Sequence, residues 1–488
     1  ANRLAVLPFE NVSAKPDTDY FSDGLTDELV TSLSRVAGLK VIAHATSVSI
    51  KDSRDDARTI GRKLGVSKLV SGTVRVDGRK LRISAQLVDA GDGYEIWTDS
   101  FDATLDEIFT VQNQIATSIV AAVTPMLTTE AAETIAAIEP PTQNKNAYLL
   151  FLRARHVMKR REELPIRHAV ALLEEAIALD PAYAAAYVEL AHAYALLPYY
   201  SSETQSKMFD AARAVIATGL DRGAAIGDSD EGLSAFIAFR SWEWIRAEES
   251  FQRAFAYDAN DPELAQWYSQ FLASLGHADR SLDTALRAKE LDALSPVVND
   301  RLAVAYLWTD QDDLAQRQFE EAALLGLGLG ANPRGYLVLL LRQHRHQEAL
   351  ELMQAIQARL GGATDWVAAF IAAQQDPKHR EAAVQALIEA EKTGGIKPRM
   401  LFGAWIYLGE YGRAMDIAYA LIADPANFDV EFLFARESAG FRRHPRFGAL
   451  VSAAGLVEHW EVYGWPGGCR RDGKDIRCHG DREQRQGR

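Results

Sequence analysis

The sequence predicts an α+β protein: a small α/β domain with an open mixed sheet, followed by an all-α superhelix of stacked helical hairpins. Two observations carry this. Ala247, Ser281, Ala315, Ala349 and Ala383 are small residues spaced 34 apart. Each is followed four residues later by Phe251, Ala285, Phe319, Met353 or Leu387, and three later again by Ala254, Ala288, Ala322, Ile356 or Ala390. Offsets of 0, 4 and 7 trace one helix face, and a fixed period of this length marks helical hairpins that bury their apolar faces only by stacking. Residues 1–128 lack the period and read instead as alternating strands and helices.

In that first stretch Leu4 to Phe9 is a buried strand. Ser22 can cap a helix whose apolar face is Leu25, Leu29, Leu33 and Val36, with Gly38 at its end. Leu39 to Ile42 is a second strand, and Ala57, Ile60 and Leu64 lie on a short helix closed by Gly65. Leu69 to Val76 and Leu81 to Val88 flank Asp77-Gly78, a strong two-residue hairpin turn. A further turn at Asp92-Gly93 leads to Tyr94, Ile96 and Thr98 to Phe101. Ile108, Val111, Ile115 and Ile119 then mark a last amphipathic helix from Leu105 to about Val123. The predicted order is β-α-β-α-β-β-β-α.

The strings LAVLPFENVSAKPDTDYFSDGLTDELVTSLSRVAGLKVIAHATS and IGRKLGVSKLVSGTVRVDGRKLRISAQLVDAGDGYEIWTDSFD together resemble the TolB amino-terminal-like domain. The resemblance implies a bacterial signalling protein, since such domains stand ahead of repeat arrays in class III adenylate/guanylate cyclases, CadC/ToxR-like winged-helix regulators and some serine/threonine kinases. It also implies an effector module and a membrane span preceding the domain, with the domain and repeats facing the periplasm. The ending HWEVYGWPGGCRRDGKDIRCHG is similar to that of the same proteins. No cyclase, kinase or winged-helix motif occurs here, so none of those activities transfers to these residues.

Beyond a linker at 129–145 with Pro140-Pro141, the repeats occupy 146–457 as about eight hairpins. Ala238, Leu272, Tyr306 and Leu340 supply the first-helix face nine residues before the second-helix alanines. Ala169, Leu173, Ala176 and Pro181, then Tyr187, Leu190, Ala191 and Tyr194, give the best single match, and the array resembles the tetratricopeptide repeat. An insertion around Pro198 to Ser202 is expected in the turn between two helices. Glu431 to Leu456 is expected to cap the array, residues 458–488 to form a tail, and the residues after Cys478 to be disordered.

The net charge of −14 argues against nucleic acid, whose phosphates would be repelled, and against an anionic membrane surface. No apolar run approaches the roughly 18 residues needed to cross a bilayer. Beginning at Ala1 with a strand almost at once, the chain reads as processed or as a piece of something longer, tethered in its full-length form. Cys469 and Cys478 are the only cysteines. One close pair predicts a disulfide and an oxidising compartment, hence the periplasm; two free thiols in a cytoplasmic tail are the alternative.

Chemistry-bearing motifs are few. Gly326-Leu327-Gly328-Leu329-Gly330 follows no strand, so it reads as loop-closing glycines rather than a phosphate cradle. Asp52, Asp55 and Asp56 lack the glycine and bidentate glutamate of a calcium loop and read as a capped helix start. His344 and His346 lack a carboxylate partner in the sequence pattern. No catalytic, cofactor or metal residues are assigned. What remains is a candidate partner-binding groove on the first helices: Phe236, Arg240, Gln266, Gln270, Asp300, Trp308, Arg334 and Arg342, with Tyr199 and Tyr200 as a second patch. Aromatics mixed with arginines favour a protein or peptide ligand. The expected function is a non-catalytic sensory or scaffold region of a bacterial signalling protein, with a homodimer among the expected assemblies. A freestanding periplasmic scaffold and an enzyme with an unfamiliar site are the alternatives.

Overall fold

The computed structural model describes every residue except 1–2, 15–17, 35, 37, 43–54, 124–134, 136–139, 159, 161, 202, 326–332, 360, 424, 426–427, 474 and 479–488. The Gly326–Gly330 run, Asp52 and the residues after Cys478 therefore lie outside the described residues. The rest divides into two compact units, 1–233 with 291–294, and 234–290 with 295–488.

The first unit opens with β1 (Arg3–Val6), β2 (Glu10–Asn11), α1 (Asp19–Ser34), β3 (Lys40–Val41), α2 (Ala57–Leu64), β4 (Lys68–Asp77), β5 (Lys80–Asp89), β6 (Glu95–Thr104) and α3 (Ile108–Val123). The sheet order is β3-β1-β4-β5-β6, with β2 also on β4. β1 runs parallel to β3 and β4, whereas β4-β5-β6 is the antiparallel meander that Asp77-Gly78 predicts. Asp56 caps α2 by accepting from the Thr59 amide, which accounts for that aspartate without calcium. Ser22 does not cap α1. The helix begins three residues earlier and Ser22 is buried within it, its hydroxyl donating to the Asp19 carbonyl.

Four repeat helices belong to this unit: α4 (Lys145–Met158), α5 (Glu163–Leu179), α6 (Ala184–Tyr200) and α7 (Gln205–Asp221). Their core is continuous with that of the sheet, so Leu4, Leu29, Ile83 and Ile119 share one cluster with Tyr148, Leu152, Leu173 and Tyr187. Gly24 lets α4 press against α1, since a methyl there would lie 2.7 Å from the Leu152 side chain. Polar pairs fix the register: Arg155 lies 3.4 Å from Asp27, and His156 lies 2.9 Å from Asp23. The break between compact units therefore falls at 233/234, inside the repeat array, and not at the 129–145 linker. The insertion at Pro198 also differs from expectation. It lengthens α6, which runs on through Pro198 to Tyr200.

The second unit continues with α8 (Glu231–Arg240), α9 (Trp244–Tyr257), α10 (Pro262–Ser274), α11 (Ala278–Leu291), α12 (Pro296–Trp308), α13 (Asp312–Leu324), α14 (Pro333–Arg342), α15 (His346–Arg359), α16 (Asp365–Gln375), α17 (Arg380–Lys392), α18 (Pro398–Tyr407) and α19 (Tyr411–Leu421). The 34-residue register holds. Ala247, Ser281, Ala315, Ala349 and Ala383 are all fully buried, as is Ala414 of the last hairpin, which follows at the shorter spacing of 31. Short first turns start cleanly because Asp261 and Ser295 cap α10 and α12, each with proline at the next position. The fold is thus a mixed sheet followed by helical hairpins of the tetratricopeptide type. No helix among the described residues is long and apolar enough to cross a membrane.

After α19 the repeat period ends. Residues 430–438 form short 3₁₀ turns, followed by α20 (Ala439–Arg442), α21 (Phe447–Ala453), α22 (Leu456–Tyr463) and a hairpin of β7 (Cys469–Asp472) and β8 (Asp475–Cys478). Cys469 and Cys478 are directly opposite in that hairpin and joined by a disulfide. The predicted boundary at 457/458 cuts through α22. Trp460 within it is fully buried, so this stretch is part of the core and not a tail.

Candidate interaction groove

The first helices of the hairpins in the second unit carry three arginines, each facing an acid from one short stretch of the same chain. Arg301 on α12 donates through Nη1 to both carboxylate oxygens of Glu431, at 3.1 and 2.9 Å. Arg334 on α14 lies 2.8 Å from Asp429. Arg342, at the end of α14, donates to Glu437 through Nε at 2.7 Å and Nη2 at 3.0 Å. The Trp308 indole N–H also donates to Glu431, at 2.8 Å. Of the candidate groove residues, Trp308, Arg334 and Arg342 all contact the chain's own residues 428–438. The expected cap at 431–456 is a strap laid along the first helices.

Two of these pairs are buried, whereas Arg334 and Asp429 are 48% and 28% exposed. The Arg301 and Glu431 side chains are 6% and 7% exposed and the Arg342 side chain 2%. Bonds from a guanidinium to a carboxylate are about twice as strong as neutral ones, and the forked pairing adds direction. Burial pulls the Arg342 guanidinium down, but Glu437 and then Asp312 more than offset this and hold it above the ordinary arginine value. Burial likewise pushes the Tyr407 phenol well up, with Glu437 adding to the effect. Aromatic contacts fill the space between the charges. Phe428 packs against Trp242 and Phe402, and Phe432 against Trp308, Phe402 and Tyr407. Phe434 sits over Gly276 in the α10–α11 turn, where a methyl would lie 2.8 Å from its ring and φ is +82°.

The strap is anchored beyond its end. Trp244 on α9 donates to the Ala454 carbonyl at 2.7 Å, and Trp460 on α22 donates to the Leu275 carbonyl at 3.0 Å. Glu248 is buried beside them, accepting from Tyr268 at 2.8 Å and lying 3.4 Å from His459 Nε2. Burial raises the Glu248 carboxyl, yet His459, Tyr268 and Gln252 outweigh it and bring it below the usual value.

In the same cluster burial pushes His277 down to about 4, with Arg280 and His459 reinforcing it and Glu248 opposing. A histidine kept neutral in the fold contributes stability that is full above its unfolded value near 6.5. That contribution is lost as pH falls from there toward 4. We expect the urea midpoint of the second unit to drop across this window, and the drop to shrink in His277→Gln. A pH-independent midpoint between 7 and 4.5 would refute this.

Phe236 packs at a tilt against Trp267 with ring centroids 4.8 Å apart, and the Arg240 guanidinium lies over the Phe239 ring. Gln266, Gln270 and Asp300 are half-buried on α10 and α12. Tyr199 and Tyr200 are exposed at the end of α6, in the other compact unit. Reading by fixed offsets missed Arg301, which lies one residue beyond Asp300, and gave 431–456 to an end cap without placing 428–438 along the first helices. The available signal was the alternation of acids and aromatics in Asp429-Val430-Glu431-Phe432-Leu433-Phe434, outside the repeat register. Among the described residues no cluster of histidine, cysteine and carboxylate ligands could hold a metal.

Residues 1–118 match the family model of the HilA/YgeH-like transcriptional regulator, second domain. Putative adenylate cyclase 3 of Rhizobium meliloti (strain 1021) is 31% identical over 254 residues, which are 51% of this chain and 42% of that protein. The chain thus matches less than half the length of that relative. Among solved structures, lipoprotein GNA1162 from Neisseria meningitidis is 21% identical over 24% of this chain and 99% of its own, with a TM-score of 0.20. YrrB, a TPR protein with an unusual peptide-binding site, is 19% identical over 39% of this chain and 94% of its own, with a TM-score of 0.25. The P58(IPK) TPR domain is 12% identical over 72% of this chain and 98% of its own, with a TM-score of 0.20.

Proposed function

We propose that this chain is the non-catalytic, partner-binding regulatory region of a bacterial signalling protein whose output module lies outside it. The observation that carries the reading is the groove itself. Three arginines and a tryptophan on successive first helices grip an acidic, aromatic stretch of polypeptide, which is the chemistry of peptide recognition. The likeness of residues 1–118 to a transcription regulator's second domain and the partial match to a putative adenylate cyclase support a signalling context. We assign the output to a cyclase or a winged-helix regulator, and retain kinship of the first domain to the TolB amino-terminal-like group as part of the proposal. The Cys469–Cys478 bond supports placement in an oxidising compartment, the periplasm.

Two assays test it. The chain alone, given ATP or GTP with magnesium or manganese, is expected to form no cyclic nucleotide. Removing it from the complete gene product is expected to change that protein's basal output several-fold. Turnover by the chain alone would overturn the non-catalytic reading, and unchanged output after removal would overturn the regulatory one.

A further inference from the structure

The receptor side of the groove is built independently of what fills it. Arg301 is also bonded to the Ser269 and Ser281 hydroxyls, at 3.1 and 3.4 Å. Arg342 also donates to the Leu307 carbonyl at 2.7 Å and to Asp312 at 2.8 Å. Each guanidinium is therefore oriented by the helical array and keeps partners there when its strap carboxylate is removed. A site whose donors are held in place before the ligand arrives is pre-organised, which lowers the cost of binding.

The strap has the opposite character. Its backbone closes on itself in short local turns, such as Ala435 N–H to the Phe432 carbonyl and Ser438 N–H to the Ala435 carbonyl. Its grip on the array comes from side chains, with Asp429, Glu431 and Glu437 reading the arginines and Phe432 and Phe434 filling the pockets between them. A segment serving only to shield an apolar face would do so with apolar residues, because a buried ion pair adds little net stability over a well-packed hydrophobic one. Charge pairs of this kind select one sequence over another.

We propose that residues 428–438 are a resident ligand held in cis, and that the groove's partner in trans is a peptide with the same pattern. Counted from Phe428, that pattern places acids at the second, fourth and tenth positions and aromatics at the first, fifth and seventh. Such a partner competes with the strap for Arg334, Arg301 and Arg342, so the groove is closed until the strap is displaced. This rests on the reading of the chain as a partner-binding regulator and specifies how the site is controlled.

Hydrogen exchange on the whole chain is the first test. The amides of 428–438 should exchange roughly tenfold or more faster than the cores of α10 and α12, reporting an opening below global unfolding. The second uses a labelled synthetic peptide, Phe-Asp-Val-Glu-Phe-Leu-Phe-Ala-Arg-Glu-Ser-Ala-Gly, against the full chain and its Glu431→Gln/Glu437→Gln variant. It should bind the variant at least about tenfold more tightly than the parent chain, and binding should vanish when both peptide glutamates are alanine. Equal affinity for both proteins would overturn closure by the strap. Binding to neither, or strap protection equal to that of α10 and α12, would show the segment to be permanent core. Exchange on the parent chain decides the matter if the variant does not fold. Any of these failures leaves the output assay on the complete gene product unaffected, so the two readings fail separately.

Discussion

Replacing Arg301 by methionine is expected to lower the stability of the second unit by about 3–5 kcal/mol, the cost of leaving a buried carboxylate without its cation. Glu431 would retain only the Trp308 N–H, in a site where its side chain is 7% exposed. The companion change tests the cause. Arg301→Met combined with Glu431→Met removes both charges and is expected to recover most of the loss, because a packed apolar pair replaces an ion pair at little net cost. Tryptophan fluorescence in a urea titration isolates the relevant unit, since every tryptophan except Trp97 lies in it. A single substitution costing less than about 1 kcal/mol, the range of a surface pair, would mean that the strap is not seated where the structure places it.

Trp460→Ala is expected to cost a similar amount, about 3–5 kcal/mol, as a large-to-small change in a closed core. Trp460 is fully buried, packs against Phe434 and Trp465, and donates to the Leu275 carbonyl. Truncation opens a cavity and leaves that carbonyl unpaired, and it also undermines Phe434 on the strap. Trp460→Phe keeps most of the packing and is expected to cost only about 1–3 kcal/mol for the lost bond. If alanine and phenylalanine behaved alike, packing at this site would be unimportant. If neither had an effect, residues 458–463 would be the peripheral tail that the sequence reading expected.

The contrast between those expectations and the structure shows what sequence makes legible. A period of 34 survives in the residues because Ala247, Ala315 and Ala383 are each fully buried at the same point of their hairpin, where a packed interior admits only small side chains. The β4–β5 hairpin was legible for the same reason, since its turn tolerates few residues at Asp77-Gly78. The strap has no such signature. Its arginine partners lie 95 to 130 residues away, and no local periodicity encodes that Glu431 meets Arg301 or that Glu437 meets Arg342. Arg334, Arg342 and Trp308 were legible as members of a groove because helical offsets place them on one face. That the groove was already filled was not, because occupancy depends on a segment with no repeat of its own. The break at 233/234 was hidden too: Pro140-Pro141 looks like a boundary, whereas Leu152 pressing on Gly24 joins α4 to the sheet.

Ribosomal timing gives the ties between distant parts of the array a further meaning. Helical-hairpin arrays ordinarily gain structure one unit at a time, each new pair needing only its predecessor. Here Leu275 waits for Trp460, 185 residues later, and Trp244 for Ala454, 210 residues later. At roughly 5–20 residues per second, the interval is about 10–40 seconds for each nascent chain. Within it lies a shorter stretch of about 4–17 seconds, from Arg342 to Phe428, when the arginine row has been made and the strap has not. A newborn molecule passes through an unsealed stage that the mature one has left behind. Whatever carries the acid-and-aromatic pattern at that moment meets the groove without a competitor.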